Sequence, residues 1–352
     1  MRTDQAVIAR AVALLQAGEL VVFPTETVYG VGADAANPAA VGRIFTAKGR
    51  PADHPLIVHL PGDGGLDRWA RDIPTRAWEL AKAFWPGPLT LILKRAPAVP
   101  AIVTGGQDTV GVRVPAHPLA LALLRAYAEA GGGVDGLCGI AAPSANRFGR
   151  ISPTDAAHVR AELGDAVQLI LDGGRCPVGI ESTIVDLTRG DDQAPRLLRP
   201  GRVTPEQIAA VIGVLPEIVT RHADDGTPRV SGSLAAHYAP TTPLRFVTQA
   251  ELVDVVDGLG QTGRRCALLH YSQLAGASAV SAGLRLPADP QGYARALYAA
   301  LRELDQMAAD IILVEEIPGA PAWAAIADRL HRAACGAGLA TSAQASSAQV
   351  PP

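Results

Sequence analysis

Lysine is almost missing from this chain: Lys48, Lys82 and Lys94 are the only three, against 28 arginines among 31 basic residues. With 34 acidic residues the net charge is -3, so composition argues against a broad nucleic-acid surface and leaves room only for a local basic cleft. Cysteine is nearly as scarce. Cys138, Cys176, Cys266 and Cys335 stand apart, without CxxC spacing or an HExxH partner, which points to reduced thiols instead of a zinc site or disulfides. No apolar run approaches the roughly 20 residues that a membrane helix needs, and Met1-Arg2-Thr3-Asp4 leads into an amphipathic helix, not a signal sequence. The expectation is a cytoplasmic protein. Also lacking are the Walker A loop, the G-x-S-x-G elbow and the kinase signature set, so any nucleotide bound here must be held by other groups.

What is present reads as two domains, as the length of 352 residues also suggests. Short β-rich apolar runs at 20–23, 56–60, 89–93, 110–114, 139–142, 169–171 and 183–187 alternate with helical patterns at 4–16, 39–46, 75–84, 118–129 and 154–163. That alternation predicts an α/β fold around a twisted sheet, with Ser152-Pro153 opening the last of these helices as cap and first-turn proline. A helix at 204–211 and a polar stretch ending in His237-Tyr238-Ala239-Pro240 make residues 206–240 an interdomain linker. Beyond it, strands at 244–247, 266–270 and 311–314 alternate with helices, one striped by Tyr293, Leu297, Leu301 and Leu304. Residues 241–335 are thus expected to form a smaller Rossmann-like α/β domain, although no G-x-G-x-x-G follows its first strand. Small polar residues dominate 336–352, where a disordered tail is expected.

Chemistry concentrates between Pro24 and His59. Pro24-Thr25-Glu26-Thr27-Val28-Tyr29-Gly30, Lys48-Gly49-Arg50-Pro51 and His54-Pro55-Leu56-Ile57-Val58-His59 bring hydroxyls, one ammonium, one guanidinium and two imidazoles beside apolar strands. A lysine so rare, flanked by Gly and Arg, is expected to meet an anion. Candidates to hold phosphates are Lys48 with Arg50, the Ser144-Ala145-Asn146 turn, Ser152, Thr109 and Arg196, because hydroxyls and amides at strand-to-helix turns suit phosphate oxygens and cations neutralise a leaving pyrophosphate. Arg113 interrupts the apolar Val110-Gly111-Val112-Arg113-Val114 run. Buried there, it takes either a protein carboxylate or a substrate carboxylate, and the residues alone leave both open. His59 is equally a core histidine or a site residue.

PTETVYG (24–30), KGRP with PLIVH (48–59), WPGPLTL (85–91), VGVRVP with HP (110–118), APSAN (142–146), GIESTIVD (179–186) and LRPG (198–201) follow one another in the order that resembles the YrdC/Sua5 family. HYAP (237–240) and the C-terminal α/β segment are similar to its two-domain Sua5 branch. The resemblance implies a catalytic domain at 1–205 with a concave cleft, and an L-threonylcarbamoyladenylate synthase. Such an enzyme is a nucleotidyltransferase that turns L-threonine, bicarbonate and ATP into threonylcarbamoyl-AMP and pyrophosphate for N6-threonylcarbamoyladenosine in tRNA. It implies Thr27, His59, Arg113 and Ser182 for threonine, with Arg113 on its carboxylate. For ATP it implies Lys48, Arg50, His54, Thr109, Ser144, Asn146, Ser152 and Arg196, with Lys48 and Arg50 serving catalysis, and His237 and Tyr238 in a lid. Mg²⁺ is expected mainly on the ATP phosphates, since no carboxylate cluster is evident, and transient contact with downstream tRNA threonylcarbamoyltransferase machinery is allowed. His54 stands where many members have Asn, and Ser231-Gly232 where relatives often have Pro-Gly. Two other readings are a double-stranded RNA-binding module on the basic face and a carbamoyltransferase domain that handles carbamoyl-adenylate; the cysteine count supplies no zinc finger for the latter.

Overall fold

The structure, a computed structural model, describes residues 5–219, 226–273 and 282–338. It divides into two compact units, Met1–Phe148 with Ser152–Ser233 and Gly149–Ile151 with Leu234–Pro352.

The first unit begins with α1 (Gln5–Gln16), β1 (Val21–Phe23), β2 (Gly30–Asp34), α2 (Pro38–Lys48) and β3 (Ile57–His59). There follow α3 (Leu66–Trp69), α4 (Thr75–Phe84), β4 (Leu89–Lys94), β5 (Thr109–Arg113), α5 (Pro118–Glu129) and β6 (Ile140–Ala141). It closes with α6 (Ala156–Leu163), β7 (Leu169–Ile170), β8 (Thr183–Asp186), β9 (Arg196–Arg199), α7 (Pro205–Ile212) and β10 (Glu217–Ile218). All ten strands join one mixed sheet in the order β10-β9-β8-β4-β5-β3-β6-β2-β1-β7.

Side-chain alternation decides what each face of that sheet does. Val58, Leu91, Val110, Val112 and Val185 point to one face, where α2, α4, α6 and α7 cover them with Ile44, Leu80, Val159 and Ile208 in a single core. On the opposite face α1 and α5 bury Val21, Phe23 and Ile140, at the β1–β6 side. Over β3, β5, β4 and β8 that face is covered by no helix among the described residues, and the slot lined by residues such as Ile57, Gly111 and Ile92 lies there. Three inter-strand steps separate β1 from β3, and across them the Phe23 and His59 rings meet edge-on with centroids 6.0 Å apart.

Local chemistry explains most element ends. Asn37 caps α2 by accepting from Ala39 and Ala40 N–H, and Gly49 ends it in the left-handed region at φ 60°. Lys48 therefore sits in the last helical turn. A capping box between Thr204 and Gln207 opens α7, which with β10 continues the first unit's chain to Ser233. The expected Ser152 cap is corrected: Asp155 caps α6 by accepting from His158 N–H, because the Ser152 hydroxyl donates to Glu181 instead. The sequence pattern also missed β2, whose glycines carry no strand signal. Their role is close approach, since a Cβ on Gly32 would lie 2.7 Å from both Ile140 and Phe23.

The second unit holds β11 (Leu244–Val247), α8 (Leu252–Gln261), β12 (Cys266–His270), β13 (Ala282–Arg285), α9 (Pro290–Gln306), β14 (Ile311–Glu315) and α10 (Ala324–Gly336). Its sheet is fully parallel, in the order β11-β14-β12-β13. The stripe expected on α9 is buried, and Asp289 caps that helix at Gly292 N–H. Most of the segment expected to be a tail, residues 339–352, lies outside the described residues.

Replacing Gly32 by Val forces a branched side chain against Ile140 and Phe23. It is expected to destabilise the first unit by about 1–3 kcal/mol, read as a lower midpoint in urea unfolding; an unchanged midpoint would show that the strand can move aside.

Candidate functional site

Strand register gathers polar groups at one end of the uncovered face. Because β3 and β5 run parallel, His59 and Arg113 are direct neighbours on it. β4 runs antiparallel to β5, and β8 runs parallel to β4, so Thr90 and Ser182 begin their strands where β5 ends. The Ser182 and Thr90 hydroxyls lie 2.8 Å apart.

The loop between β1 and β2 completes this end. Arg113 donates from Nη2 to Glu26 Oε1 at 2.5 Å, from Nη1 to Thr27 Oγ1 at 3.0 Å and from Nε to the Gly87 carbonyl at 3.1 Å. The other Glu26 oxygen accepts from Ala116 N–H. Thr25 spends its proton on the Val28 carbonyl, so Thr27, 2.8 Å away, donates to Thr25 while accepting from Arg113. Arg113 thus has its protein carboxylate, Glu26, and keeps two further N–H groups for a ligand. Ser152 donates to Glu181 Oε1 at 2.6 Å, beside Ser182 in the chain.

Along the same face, Ile57, Gly111, Ile92, Ile184 and Thr109 line a shallow slot, bordered by Gln107 and the segment Arg229-Val230-Ser231. Gly111 sits at its floor, where a Cβ would meet Ile92 at 3.1 Å. Its lack of a side chain keeps the slot open. Val230 packs with Ile92, Ile184 and Leu198.

A third cluster surrounds the end of α2. Lys48 is only 3% exposed, and its ammonium donates to the Ser144 and Asn146 carbonyls. Burial, aided by the Arg50 charge, holds its pKa well below 10.5. Arg50 donates to the Pro55 carbonyl at 3.0 Å and stacks its guanidinium over Phe148, whose ring also meets His54. Desolvation, then Arg50, lowers the His54 pKa.

The sequence-derived residues therefore fall into groups. Thr27, His59, Arg113 and Ser182 share the polar end, with Ser152 beside it through Glu181. Lys48, Arg50, His54, Ser144 and Asn146 form the cluster around α2, and Thr109 lines the slot. Arg196 stands farther along β9, bound through Nε and Nη2 to Asp186 Oδ2 at 2.9 and 2.6 Å and through Nη1 to Thr227. His237 and Tyr238 belong to the second unit, where Tyr238 is buried against Tyr298 with Arg329 over its ring. Sequence reasoning missed Glu26, Thr90, Glu181, Phe148 and Arg199. Arg199 carried the same signal as Arg113, a charge ending an apolar run.

His59 is 3% exposed, and its Nδ1 has no hydrogen-bond partner among the described residues. Desolvation, then the Arg113 charge, lowers its pKa from 6.5 to about 3, so the imidazole is neutral at any ordinary pH. The unfolded chain takes up this proton near pH 6.5 and the folded chain only near pH 3, so stability falls as pH drops through that window. His59→Gln should flatten the acid limb of a stability–pH profile by up to about 1.4 kcal/mol per pH unit. Urea unfolding at a series of pH values measures this, and an unchanged slope would contradict a neutral buried imidazole.

Comparison with known proteins adds an independent line. The Sua5–YciO–YrdC family model, described as "Telomere recombination", matches residues 13–201. A second model, described as "Threonylcarbamoyl-AMP synthase, C-terminal domain", matches residues 203–335. The Bacillus subtilis threonylcarbamoyl-AMP synthase is 42% identical over 349 residues, covering 96% of this chain and 95% of its own length. Its Pyrococcus abyssi counterpart is 38% identical, covering 94% and 95%. The crystal structure of P. abyssi Sua5 complexed with L-threonine matches with a TM-score of 0.86 at 36% identity, covering 96% of each chain.

Proposed function

The chain belongs to the YrdC/Sua5 family, with both the catalytic-domain and the C-terminal-domain models matched, and from that premise we propose that it makes threonylcarbamoyl-AMP and pyrophosphate from L-threonine, bicarbonate and ATP. The product serves N6-threonylcarbamoyladenosine formation in tRNA. The observation that carries the reading is a carboxylate-bound arginine beside an apolar slot on the same face of the sheet, over β3, β5, β4 and β8. Similarity to a Sua5 complexed with L-threonine supports small-molecule substrates, and the synthase name on relatives of nearly full length favours this reading over an RNA-binding module or a carbamoyltransferase domain.

Threonine and bicarbonate condense to a carbamate with loss of water; a carbamate oxygen then attacks the α-phosphorus and pyrophosphate leaves. The nucleophile belongs to the substrate, so the protein's work is positioning and charge. Arg113 orients the threonine carboxylate through its two remaining N–H groups, while Thr27, His59 and Ser182 surround the rest of the amino acid. The neutral His59 adds no second cation to compete for that carboxylate. The slot by Thr109 takes the nucleoside, and Lys48 and Arg50 lie where phosphates would displace carbonyl partners. Ser144, Asn146, Ser152, His54 and Arg196 are proposed as further ATP contacts. Among the described residues no group of three or more His, Cys, Asp or Glu side chains is arranged to hold a metal ion. Glu26 and Glu181 already accept hydrogen bonds from this chain. Mg²⁺ is therefore proposed to arrive on the ATP phosphates, whose charge it would share.

A cytoplasmic location and contact with a downstream tRNA-modifying transferase fit this reading. Among the described residues no helix is long and apolar enough to cross a membrane.

ATP-to-pyrophosphate conversion should require threonine and bicarbonate together; turnover with either omitted would overturn the assignment. Lys48→Met should lower that turnover by about a hundredfold or more. Removing Arg113 alone would strand Glu26 at a cost of about 3–5 kcal/mol, so the cleaner variant is Arg113→Gln with Glu26→Gln. Its threonine KM should rise by about thirtyfold or more, a truncated charge partner costing about 2–5 kcal/mol; an unchanged KM would move the carboxylate elsewhere.

A further inference from the structure

Arg199 closes β9, 3% exposed, and its guanidinium spans two parts of the first unit. Nε and Nη2 donate to the Ser182 carbonyl at 3.0 and 2.9 Å, and Nη2 also donates to Ser182 Oγ at 3.1 Å. Nη1 donates to the Ser231 carbonyl at 2.7 Å. Next to it, Gly201 presses so close that a Cβ would lie 2.4 Å from the Thr183 nitrogen and 2.8 Å from the Ser182 carbonyl carbon. The backbone there is built for Arg199 to sit against Ser182.

Ser231 lies in a strap over the cleft. Gln107 holds that strap by a reciprocal pair of bonds with the Arg229 backbone, accepting from N–H at 2.7 Å and donating to its carbonyl at 3.0 Å. Arg196 reaches Thr227 in the same segment. Val230 packs against Ile92, Ile184 and Leu198.

We propose that Arg199 is a positioning residue for the amino-acid site, fixing Ser182 as a hydrogen-bond donor to substrate and tying the 226–233 strap to the same edge. A guanidinium can only donate, so Ser182 Oγ must accept from it. That occupies one Ser182 lone pair and keeps the serine proton available for the Thr90 hydroxyl, where either oxygen can be the donor, or for a substrate oxygen when one arrives. Without Arg199 the hydroxyl is free to turn and accept, which would set it against a carboxylate or carbamate oxygen. Because one planar group makes all four bonds, strap position and hydroxyl orientation are coupled. Lysine, a single point donor, cannot reproduce this.

This inference rests on the threonine reading of the Ser182 site, and a double-mutant cycle on the full chain separates the two. Threonine Kd and ATP Kd are measured by calorimetry for wild type, Arg199→Gln, Ser182→Ala and the double variant, with thermal melts to confirm folding. Arg199→Gln should weaken threonine about ten- to hundredfold, as expected for a lost charge-assisted hydrogen bond. ATP should weaken by less than about threefold, since the hydrogen bonds that Arg199 makes among the described residues go to Ser182 and Ser231, outside the Lys48 cluster. The double variant should be no weaker for threonine than Ser182→Ala alone. Multiplying effects, or an unchanged threonine Kd in Arg199→Gln, would overturn the positioning role. Should Arg199→Gln fail to melt cooperatively, Arg199→Lys is expected to fold and still bind threonine more weakly than wild type; a wild-type Kd there overturns the proposal as well. Absence of threonine binding to the wild-type chain would instead remove the functional reading beneath it.

Discussion

Arg113 and Glu26 meet with side chains only 5% and 6% exposed, and the geometry of the cleft follows from the need to answer that buried charge. A guanidinium taken out of water is tolerated only when its donors are met, so the β1–β2 loop must come to it. Glu26 brings that loop over, binds Ala116 N–H with its second oxygen, and so holds the end of β5 and the loop after it in one piece. Thr27 and Thr25 extend the chain of hydrogen bonds into the turn itself. The result is a rigid polar end in which every partner is a short-range consequence of one ion pair.

Next to this end the sheet offers an apolar slot, and the change in character costs no rearrangement. Alternation along β3, β5, β4 and β8 places His59, Arg113, Thr90 and Ser182 and then Ile57, Gly111, Ile92 and Ile184 on one face. An amino acid and a nucleotide can thus lie side by side on one surface. Under the proposed function, chemistry between two bound reactants asks for that arrangement and for charge placed beforehand, the part proposed for Lys48 and Arg50. The lowered Lys48 pKa is the counterpart: burial, then the neighbouring Arg50 charge, disfavours its ammonium, and the anion proposed above would relieve both.

Much of the architecture was legible because its signals are local. The helices at 75–84 and 118–129 and the stripe on α9 follow from short-range periodicity, and the strands at 57–59, 89–94 and 109–113 from apolar runs. β2 was not legible, since Gly30 and Gly32 carry no propensity for a strand and are chosen for what presses on them from Ile140, Phe23 and Ala142. Ser152 misled for a related reason: its sequence neighbourhood suits a helix cap, while Glu181, 29 residues away, takes its proton.

Sequence alone settled the class of side chains available and their order along the chain, because motifs and periodicity are properties of neighbours. Only the tertiary structure decided which charge answers which. Arg113 and Glu26 are 87 positions apart, and Lys48 is 96 and 98 positions from the carbonyls it holds. Arg199 reaches Ser182 across 17 positions and Ser231 across 32. Propensity carries no information about such pairs; they exist because strand order and packing bring desolvated donors and acceptors within about 3 Å, where leaving a buried charged group unmet costs about 1–3 kcal/mol or more.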